Sequence, residues 1–443
     1  MENLTLTKLA LVTRRARKDP KFQFTSLAHL LNAEFLRGCY QSIGKDKACG
    51  IDGKSWQDYG EDLDENLDAL VDRLKAKKYK PLPAKRVYIP KNDKETRPLG
   101  LPAIEDKIVQ KGIARILGAI YEADFMDCSY GFRPKRSCHQ ALKAVNDTIM
   151  FKPVNHVIEA DIKGFFDNVS HDWMMKFLEV RIKDSSLLLL IRRFLKAGYV
   201  ESGMVIRTDD GTPQGGNLSP ILANIFLHYV LDLWFVKRVQ RNISGYCRLV
   251  RYADDFICMV QYRDSANELE RILRKRFAKF GLSLHPQKTR TISFGQDERQ
   301  NALQDKRRAN TFDFLGFTHY CGLSRKGRFL VGRRTSAKKF RKACAQIKEW
   351  LRKIRVIRIS HWWPVLAAKL RGHYNYYGVS GNSRMIANFG YRTIRAVYKW
   401  LNRRSDRKSC NWEQLNAYLA HYPLPRPRIV HNLYKPSPSS ETG

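Results

Sequence analysis

The spacing of apolar residues along the first third of the chain predicts mainly helices, with one stretch of short strands between them. Apolar residues recur three or four positions apart, as on one face of a helix, in residues 24–78 (broken around Gly44 and at 50–53), 104–124 and 137–151. Residues 81–102 are typical of short strands and turns, because short apolar runs alternate there with proline and glycine.

Two apolar segments further along predict strands that carry acidic residues at their ends. Residues 156–162 are apolar and rich in β-branched side chains, and a period of two places Val157, Glu159 and Asp161 on one face. Residues 249–260 predict two strands around a short acidic turn. These segments therefore bring carboxylates to the edge of a predicted sheet.

Three later helices are predicted, at residues 219–235, 265–281 and 337–357. Ser219 is placed to cap the first helix, with Pro220 in its first turn, and Ser265 and Glu268 have the spacing of a capping box. Residues 296–310 are polar and predict a loop. The apolar faces expected to pack inward are Leu222, Ile225, Phe226, Tyr229 and Leu233; Leu269, Ile272, Leu273 and Phe277; and Phe340, Cys344, Ile347, Leu351 and Ile354.

The net charge of the chain indicates what kind of macromolecule it binds. The 443 residues include 80 Lys and Arg against 43 Asp and Glu, a formal net charge of +37. The excess is concentrated downstream: from Lys306 onward there are 30 basic and 5 acidic residues. A folded protein tolerates such self-repulsion when it binds a polyanion, and this asymmetry favours nucleic acid over a membrane surface.

The sequence predicts a cytoplasmic protein with no membrane partner. No apolar run reaches the roughly 18 residues that span a bilayer, and the longest candidate, 225–235, is interrupted by His228 and Asp232. The N-terminal 21 residues lack a secretion-signal pattern. The nine cysteines include no Cys-x-x-Cys pair, so neither a zinc site nor a disulfide framework is indicated.

The acidic turn contains the residues that are the best candidates for metal binding. In Tyr252-Ala253-Asp254-Asp255, two adjacent carboxylates follow an apolar strand; by themselves they also fit an ordinary turn, where Asp is common. Asp161 ends another apolar strand and supplies a third carboxylate, with Asp167 as a competing candidate. Phosphoryl transfer on two metal ions about 3.5–4 Å apart requires such a cluster of oxygen ligands.

These motifs resemble those of reverse transcriptases. Tyr-Ala-Asp-Asp, with Asp161 upstream and the aromatic Phe166 five positions after it, is similar to the palm of that family. Further blocks of the family occur in the family's order: Ile89-Pro90-Lys91, Arg97–Pro102, Ser129–Pro134, Gly211–Pro220, 281–289 and Phe314–Phe317. Pro213–Pro220 and an N-terminal extension at 31–53 narrow the resemblance to the group II intron-encoded enzymes, or maturases.

The resemblance implies an α+β, right-hand polymerase fold with fingers, a palm built on an antiparallel sheet and a helical thumb. It divides the chain into an N-terminal helical extension (1–78), fingers and palm (79–320), a basic helical thumb and maturase region that binds RNA (321–435), and a disordered tail (436–443). Many family members carry a nuclease region with paired cysteines. That motif does not follow the thumb here, so no second-strand DNA cleavage is expected.

The resemblance also assigns roles to residues. Asp161, Asp254 and Asp255 would hold two Mg²⁺ ions, for which Mn²⁺ could substitute, and the backbone carbonyl of Ile162 would complete one coordination sphere. Residues implied to bind the nucleotide are Lys91 and Arg97 at the triphosphate, Phe166 under the sugar, Gln214 and Ala253. Phe166 would select dNTPs by excluding a 2′-hydroxyl; core packing is its alternative.

Residues implied to bind nucleic acid are Arg133, Lys288, Lys338, Lys342, Arg371, Tyr374 and Tyr377. Alternatives remain open from the sequence. Arg133 could instead support the fingers, and the tyrosines could pack a helix rather than stack on unpaired bases.

The predicted function is RNA-directed DNA polymerisation, which adds dNTPs to the 3′-hydroxyl of a DNA primer on an RNA template. The resemblance further implies a group II intron origin, with binding of intron RNA to assist splicing and mobility. Three alternatives stay open: an RNA-binding maturase with little polymerase activity, an RNA-dependent RNA polymerase or a DNA polymerase, and a domesticated relative used in phage defence. A bulky Phe166 argues against RNA products.

Overall fold

Helices that bury one apolar face and short, mostly antiparallel strands alternate along the chain, as expected for an α+β protein. The computed structural model describes residues 3–90, 96–206, 210–211 and 215–434. The helices are α1 (Asn3–Lys18), α2 (Ala33–Gln41), α3 (Trp56–Glu61), α4 (Leu63–Lys75), α5 (Ile104–Tyr121), α6 (Cys138–Phe151), α7 (His171–Glu179), α8 (Ser185–Lys196), α9 (Ser219–Leu227), α10 (Gln240–Asn242), α11 (Arg263–Lys279), α12 (Gln296–Gln304), α13 (Ala337–Lys353), α14 (Ile359–Tyr377), α15 (Ser383–Leu401) and α16 (Trp412–His421). The strands are β1 (Ala84–Pro90), β2 (Thr96–Leu101), β3 (His156–Asp161), β4 (Tyr199–Glu201), β5 (Met204–Ile206), β6 (Cys247–Tyr252), β7 (Asp255–Val260), β8 (Arg290–Ser293), β9 (Thr311–Phe314), β10 (Phe317–Leu323) and β11 (Phe329–Thr335).

The central sheet has the strand order β6-β7-β3-β8, and all of its neighbouring strands are antiparallel. Successive side chains of β3 point to opposite faces of the sheet. Ile158 and Ala160 pack in a core that includes α5 and the helix at residues 219–242, whereas Val157 packs in a second core on the other face. Because both faces are covered, only the ends of the strands are left for polar side chains. The predicted strands at 156–162 and 249–260 are confirmed.

Two smaller sheets flank the central one. The strands predicted within residues 81–102 are β1 and β2, in a sheet of order β2-β1-β4-β5 whose β1–β4 pair is parallel. The third sheet, β11-β10-β9, is antiparallel and was not predicted. The expected domain division at residue 320 falls inside β10.

The helix predicted at 219–235 extends to residue 242 and contains two π-helical stretches, His228–Asp232 and Phe235–Val239, between α9 and α10. Leu218, not Ser219, occupies the N-cap position, and the Leu218 side chain makes no capping hydrogen bond. The predicted single apolar face is also wrong, because the helix crosses the main core and buries residues around most of its circumference. By length and apolarity this helix could span a membrane, but 67% of its most apolar window is buried within the protein, as in a core helix.

Two other predictions need correction. Residues 296–304 form α12 rather than a loop, because Ala302 and Glu298 are buried and the Glu298 carboxylate accepts two hydrogen bonds from Arg307. The capping box at Ser265 is absent, since α11 begins two residues earlier and the Ser265 hydroxyl donates instead to the Ser244 carbonyl.

The C-terminal helices α13 to α16 surround a third core. The predicted basic helix is confirmed as α13, whose Phe340, Ile347 and Leu351 pack inward. Beyond α16 the chain returns across the molecule: Val430 N–H donates to the Gly378 carbonyl at 2.7 Å, and Asn146 of α6 donates to the Leu433 carbonyl at 3.0 Å. The helical C-terminal region is thereby tied to the helix that covers the central sheet.

Candidate active site

Cross-strand register brings the three predicted carboxylates to one edge of the central sheet. Asp161, the last residue of β3, pairs directly with Asp255, the first residue of β7. Asp254 precedes it in the two-residue turn that joins β6 to β7. The structure thus brings together the side chains that the sequence placed on separate strands.

Asp255 sits in a strongly unfavourable environment for a negative charge. Although it remains accessible to solvent at the edge of the sheet, the protein around it reduces its hydration, and this is the largest cause that raises its pKa to about 7. The charges of Asp254, Asp161 and Glu159 raise the pKa further. Three carboxylates held this way favour a bound cation.

Asp161 already has a cationic partner in the protein. Its Oδ2 atom lies 2.6 Å from the Lys288 ammonium, and both side chains are substantially exposed. The ammonium thus partly neutralises the carboxylate cluster. Lys288, which was expected to bind nucleic acid, is exposed and contacts a predicted metal ligand.

The donor set fits a divalent cation, although the described residues contain no compact group of three His, Cys, Asp or Glu side chains that could hold one as they stand. Asp161 is directed toward Lys288, whereas Asp254 and Asp255 crowd each other. Carboxylate oxygens are the ligands that Mg²⁺ prefers. Ile162, the other expected ligand, is buried just beyond β3, where its backbone pairs with Leu284.

The turn that contains Asp254 has a strained backbone and is held in place by Gly131, which packs against it. Ala253 has a φ of 58°, in the left-handed region that residues with a side chain seldom adopt. Gly131 packs against it so closely that a Cβ at Gly131 would collide with the backbone nitrogen of Ala253. The Asn224 side-chain amide donates to the Gly131 carbonyl at 2.8 Å and fixes this contact to α9.

A buried ion pair lies beneath the same turn. The Arg251 guanidinium contacts both carboxylate oxygens of Asp232, at 2.7 and 2.5 Å, and neither side chain is exposed. Arg251 also donates to the Ala253 carbonyl at 2.8 Å and to the Ser129 hydroxyl at 2.7 Å. The first π-helical stretch, which contains Asp232, is thereby linked to the turn that carries Asp254.

Sequence reasoning gave no role to Arg251 or Asp232. A signal was present, because Asp232 interrupts an otherwise apolar helix and Arg251 lies in an apolar strand directly before Tyr252. Charged residues in such segments are rarely buried without a partner. Their pairing could not be derived from one sequence, since they are separated by the second π-helical stretch and a turn.

Two of the predicted nucleotide-binding residues, Arg97 and Ala253, lie near the carboxylates. Arg97 of β2 is close enough to Asp254 for its positive charge to oppose the rise in the pKa of that carboxyl, a rise caused mainly by lost hydration. Phe166 is half-buried beside Phe165, and its carbonyl is approached closely by Gly211. Lys91 and Gln214 lie outside the described residues.

The predicted nucleic-acid-binding residues divide into exposed and buried groups. Arg133 is buried and gives its hydrogen bonds to Glu122 and to two backbone carbonyls, which favours the supporting role rather than a template contact. Tyr374 is also buried, in the C-terminal core, and Tyr377 packs on Phe317, so both favour the packing alternative. The residues of this set that are exposed, besides Lys288, are Lys338, Lys342 and Arg371.

Comparison with known proteins agrees with the motifs. The family model described as reverse transcriptase (RNA-dependent DNA polymerase) matches residues 89–319. Group II intron-encoded protein LtrA of Lactococcus lactis subsp. cremoris is 37% identical over 270 residues, 60% of this chain and 43% of LtrA. Protein YkfC of Escherichia coli K12 is 35% identical over 282 residues, 56% of this chain and 73% of YkfC. Nuclear intron maturase 4, mitochondrial, of Arabidopsis thaliana is 30% identical over 140 residues, 30% of this chain and 17% of its own length. The chain therefore spans less than half the length of LtrA.

Proposed function

This chain belongs to the reverse transcriptase family, and we propose that it is an RNA-directed DNA polymerase that extends a DNA primer on an RNA template. The observation that carries the proposal is the register that sets Asp161 opposite Asp255, with Asp254 beside it in the turn. The family implies a right-hand polymerase fold. We assign the palm to the central sheet, the fingers to the sheet that contains β1 and β2, and the thumb to residues 321–435, after an N-terminal extension of residues 1–78.

Asp161, Asp254 and Asp255 would hold two divalent cations, as family members generally do, and we propose Mg²⁺. When bound, these ions would neutralise phosphate charge and lower the pKa of the primer hydroxyl. The protein's own contribution is to fix three carboxylates on adjoining strands before substrate arrives. Such preorganisation avoids the cost of assembling like charges during the reaction.

The nucleotide would lie between the carboxylates and the β1–β2 hairpin. Arg97, together with Lys91, would bind the triphosphate, because a guanidinium can donate two parallel hydrogen bonds to phosphate oxygens. Phe166 would lie beneath the sugar and reject a 2′-hydroxyl. Gln214 and the backbone of Ala253 would complete the nucleotide pocket.

Primer extension on an RNA template tests both assignments. We expect wild-type protein to incorporate dNTPs, Asp254→Asn to lose incorporation by at least about 1,000-fold, and Asp172→Asn, an exposed carboxylate on α7, to remain active. Phe166→Ala should gain rNTP incorporation relative to dNTP incorporation. If folded wild-type protein shows no synthesis, or Asp254→Asn retains it, the polymerase assignment is wrong.

A second activity, binding of intron RNA to assist splicing, is favoured by the homology to intron-encoded proteins and by the basic C-terminal region. The basic side chains of α13 are exposed on the outside of a helix whose apolar face is buried. That arrangement leaves the charge available for an RNA backbone. Since LtrA and YkfC come from bacteria, we propose that the protein acts in a bacterial cytoplasm.

A further inference from the structure

A groove of about 700 Å³ opens on the side of α5 that faces α1. One wall is formed by Leu9, Thr13 and Arg17 of α1. The lining from α5 consists of three small residues and Arg115, and Phe132 and Ile221 also line the groove. None of the roles assigned above uses this groove.

Phe132 is the most unusual feature of the groove. Its side chain is 61% exposed, and its backbone has a φ of 57°, in the left-handed region. An exposed aromatic ring held by an unfavourable backbone conformation gains nothing for the core and points to a binding role. Its neighbour Gly131 packs against Ala253, so the backbone that carries the ring is close to the turn that contains Asp254.

The groove is positively charged, as expected for a site that binds a polyanion. Helix α1 contains five basic residues and no acidic one, and Arg17 is exposed at the groove. The one carboxylate in the lining, Glu122, is paired with the buried guanidinium of Arg133 at 2.8 Å. Its negative charge is therefore already compensated within the protein.

We propose that this groove receives the unpaired RNA template just ahead of the copied base, with one base stacked on Phe132 and Arg17 contacting the backbone. The inference rests on the proposed polymerase function and adds a location for one of its substrates. Aromatic side chains next to cations are the usual elements of single-strand binding, because stacking tolerates any base.

The test compares two RNA template–DNA primer duplexes that differ only in the unpaired 5′ extension of the template, of one or eight nucleotides. Phe132→Ala removes the ring, and Phe132→Tyr retains it. Phe151→Ala is a matched control, because Phe151 is also 61% exposed but lies at the end of α6 and does not line the groove. The quantities measured are KM for the duplex and kcat for single-nucleotide incorporation.

We expect the longer extension to lower KM for the wild type, and Phe132→Ala to raise KM on that duplex roughly 5- to 100-fold, the usual range for one stacked base. On the one-nucleotide extension the variant should differ little, and Phe132→Tyr and Phe151→Ala should resemble the wild type. Equal effects of Phe132→Ala on both duplexes would overturn the proposal. So would an extension that gives the wild type no advantage.

Binding is measured separately, so that failure of the groove and failure of the polymerase assignment can be told apart. The base analogue 2-aminopurine, placed in the unpaired extension, loses fluorescence when it stacks. We expect wild-type protein to quench it and Phe132→Ala to quench it much less, whether or not any nucleotide is incorporated. Normal incorporation with no Phe132-dependent quenching leaves the polymerase assignment intact and excludes the groove.

Discussion

Asp255 illustrates how a proposed metal ligand can lower the stability of the fold that holds it. Its pKa is raised to about 7 in the folded protein by lost hydration and by neighbouring carboxylates, compared with about 3.9 in an unfolded chain. Between these values the folded state binds more protons than the unfolded state, so stability falls as pH rises from about 4 to 7. Above pH 7 the whole penalty is present unless a cation offsets it.

We therefore expect Asp255→Asn to stabilise the cation-free protein at pH 8, by on the order of 1 kcal/mol after allowance for solvent screening of an accessible group. At pH 4 the gain should vanish. Mg²⁺ should raise the melting temperature of the wild type but not that of the variant. Thermal unfolding at both pH values, with Asp172→Asn as the control, measures these effects. A variant less stable than the wild type at pH 8 would contradict the argument.

Position 131 must be glycine for a steric reason, whereas the constraint at Asp255 is electrostatic. Any side chain there would collide with the backbone of Ala253, so Gly131→Ala must displace the turn that carries Asp254. We expect nucleotide incorporation to fall at least about tenfold, because small displacements of catalytic groups are costly. Gly372→Ala is the control, since an added Cβ meets no atom within 4 Å. Full activity in a folded Gly131→Ala variant would show that the turn tolerates movement.

At the scale of elements, the Arg251–Asp232 pair joins strand β6 to the π-helical stretch of the long helix. Removing one partner leaves a buried charge uncompensated, which costs about 3–5 kcal/mol. Arg251→Met and Asp232→Leu should therefore each destabilise the protein strongly, as measured by urea unfolding. The double variant should recover much of that stability, because a buried ion pair can be replaced by apolar side chains.

Measurements of kcat and KM on the same three variants show whether Arg251 positions the Ala253-Asp254 turn or only stabilises the fold. The double variant still lacks the guanidinium that donates to the Ala253 carbonyl, so we expect its kcat to remain low while its KM for dNTP changes little. Recovery of kcat together with stability would show that Arg251 acts only as a structural residue. The long helix of residues 219–242 thus supports the candidate site through the polar contacts of Asn224 and Asp232 and not only through its apolar packing.

Elements with long, regular apolar patterns were predictable, and those held by tertiary contacts were not. Helix α13 and strand β3 follow directly from their periodicity. By contrast, α12 has a polar sequence that is helical because Glu298 and Ala302 are buried, and β9 to β11 are strands because they pair with one another. The predicted Ser219 cap is wrong because the N-cap position is occupied by Leu218, whose side chain is buried in the core.

The three carboxylates of the candidate site could be predicted from the sequence, because they lie on regular strands or in the turn between two strands. The alternation of β3 and the hairpin of β6 and β7 sufficed to place Asp161 beside Asp255. The supporting contacts were not predictable, because Arg251, Asp232 and Gly131 meet through the path of the chain between them. The resemblance implied that Arg133 and Tyr374 bind nucleic acid, with a supporting role for Arg133 and a packing role for Tyr374 left open. Their burial favours these alternatives.

At the scale of the whole molecule, the dominant feature is the concentration of positive charge in the C-terminal third. The apolar faces of α13, α14 and α15 form a common core, so their basic residues are displayed outward. Binding of RNA to such a surface releases counterions and weakens steeply with salt. The salt dependence of binding therefore measures how many of these charges contact phosphate.

We expect the triple variant Lys338→Gln, Lys342→Gln and Arg371→Gln to reduce the slope of log K against log salt by about 2, since each phosphate contact contributes roughly 0.7–0.9. The measurement is binding of a structured RNA between about 50 and 200 mM salt. A control variant, Lys75→Gln, Lys78→Gln and Lys80→Gln, removes the same charge from exposed positions in the N-terminal region. If the two variants change the slope equally, the protein attracts RNA by net charge alone. A larger change in the first variant places the RNA backbone on the C-terminal helices.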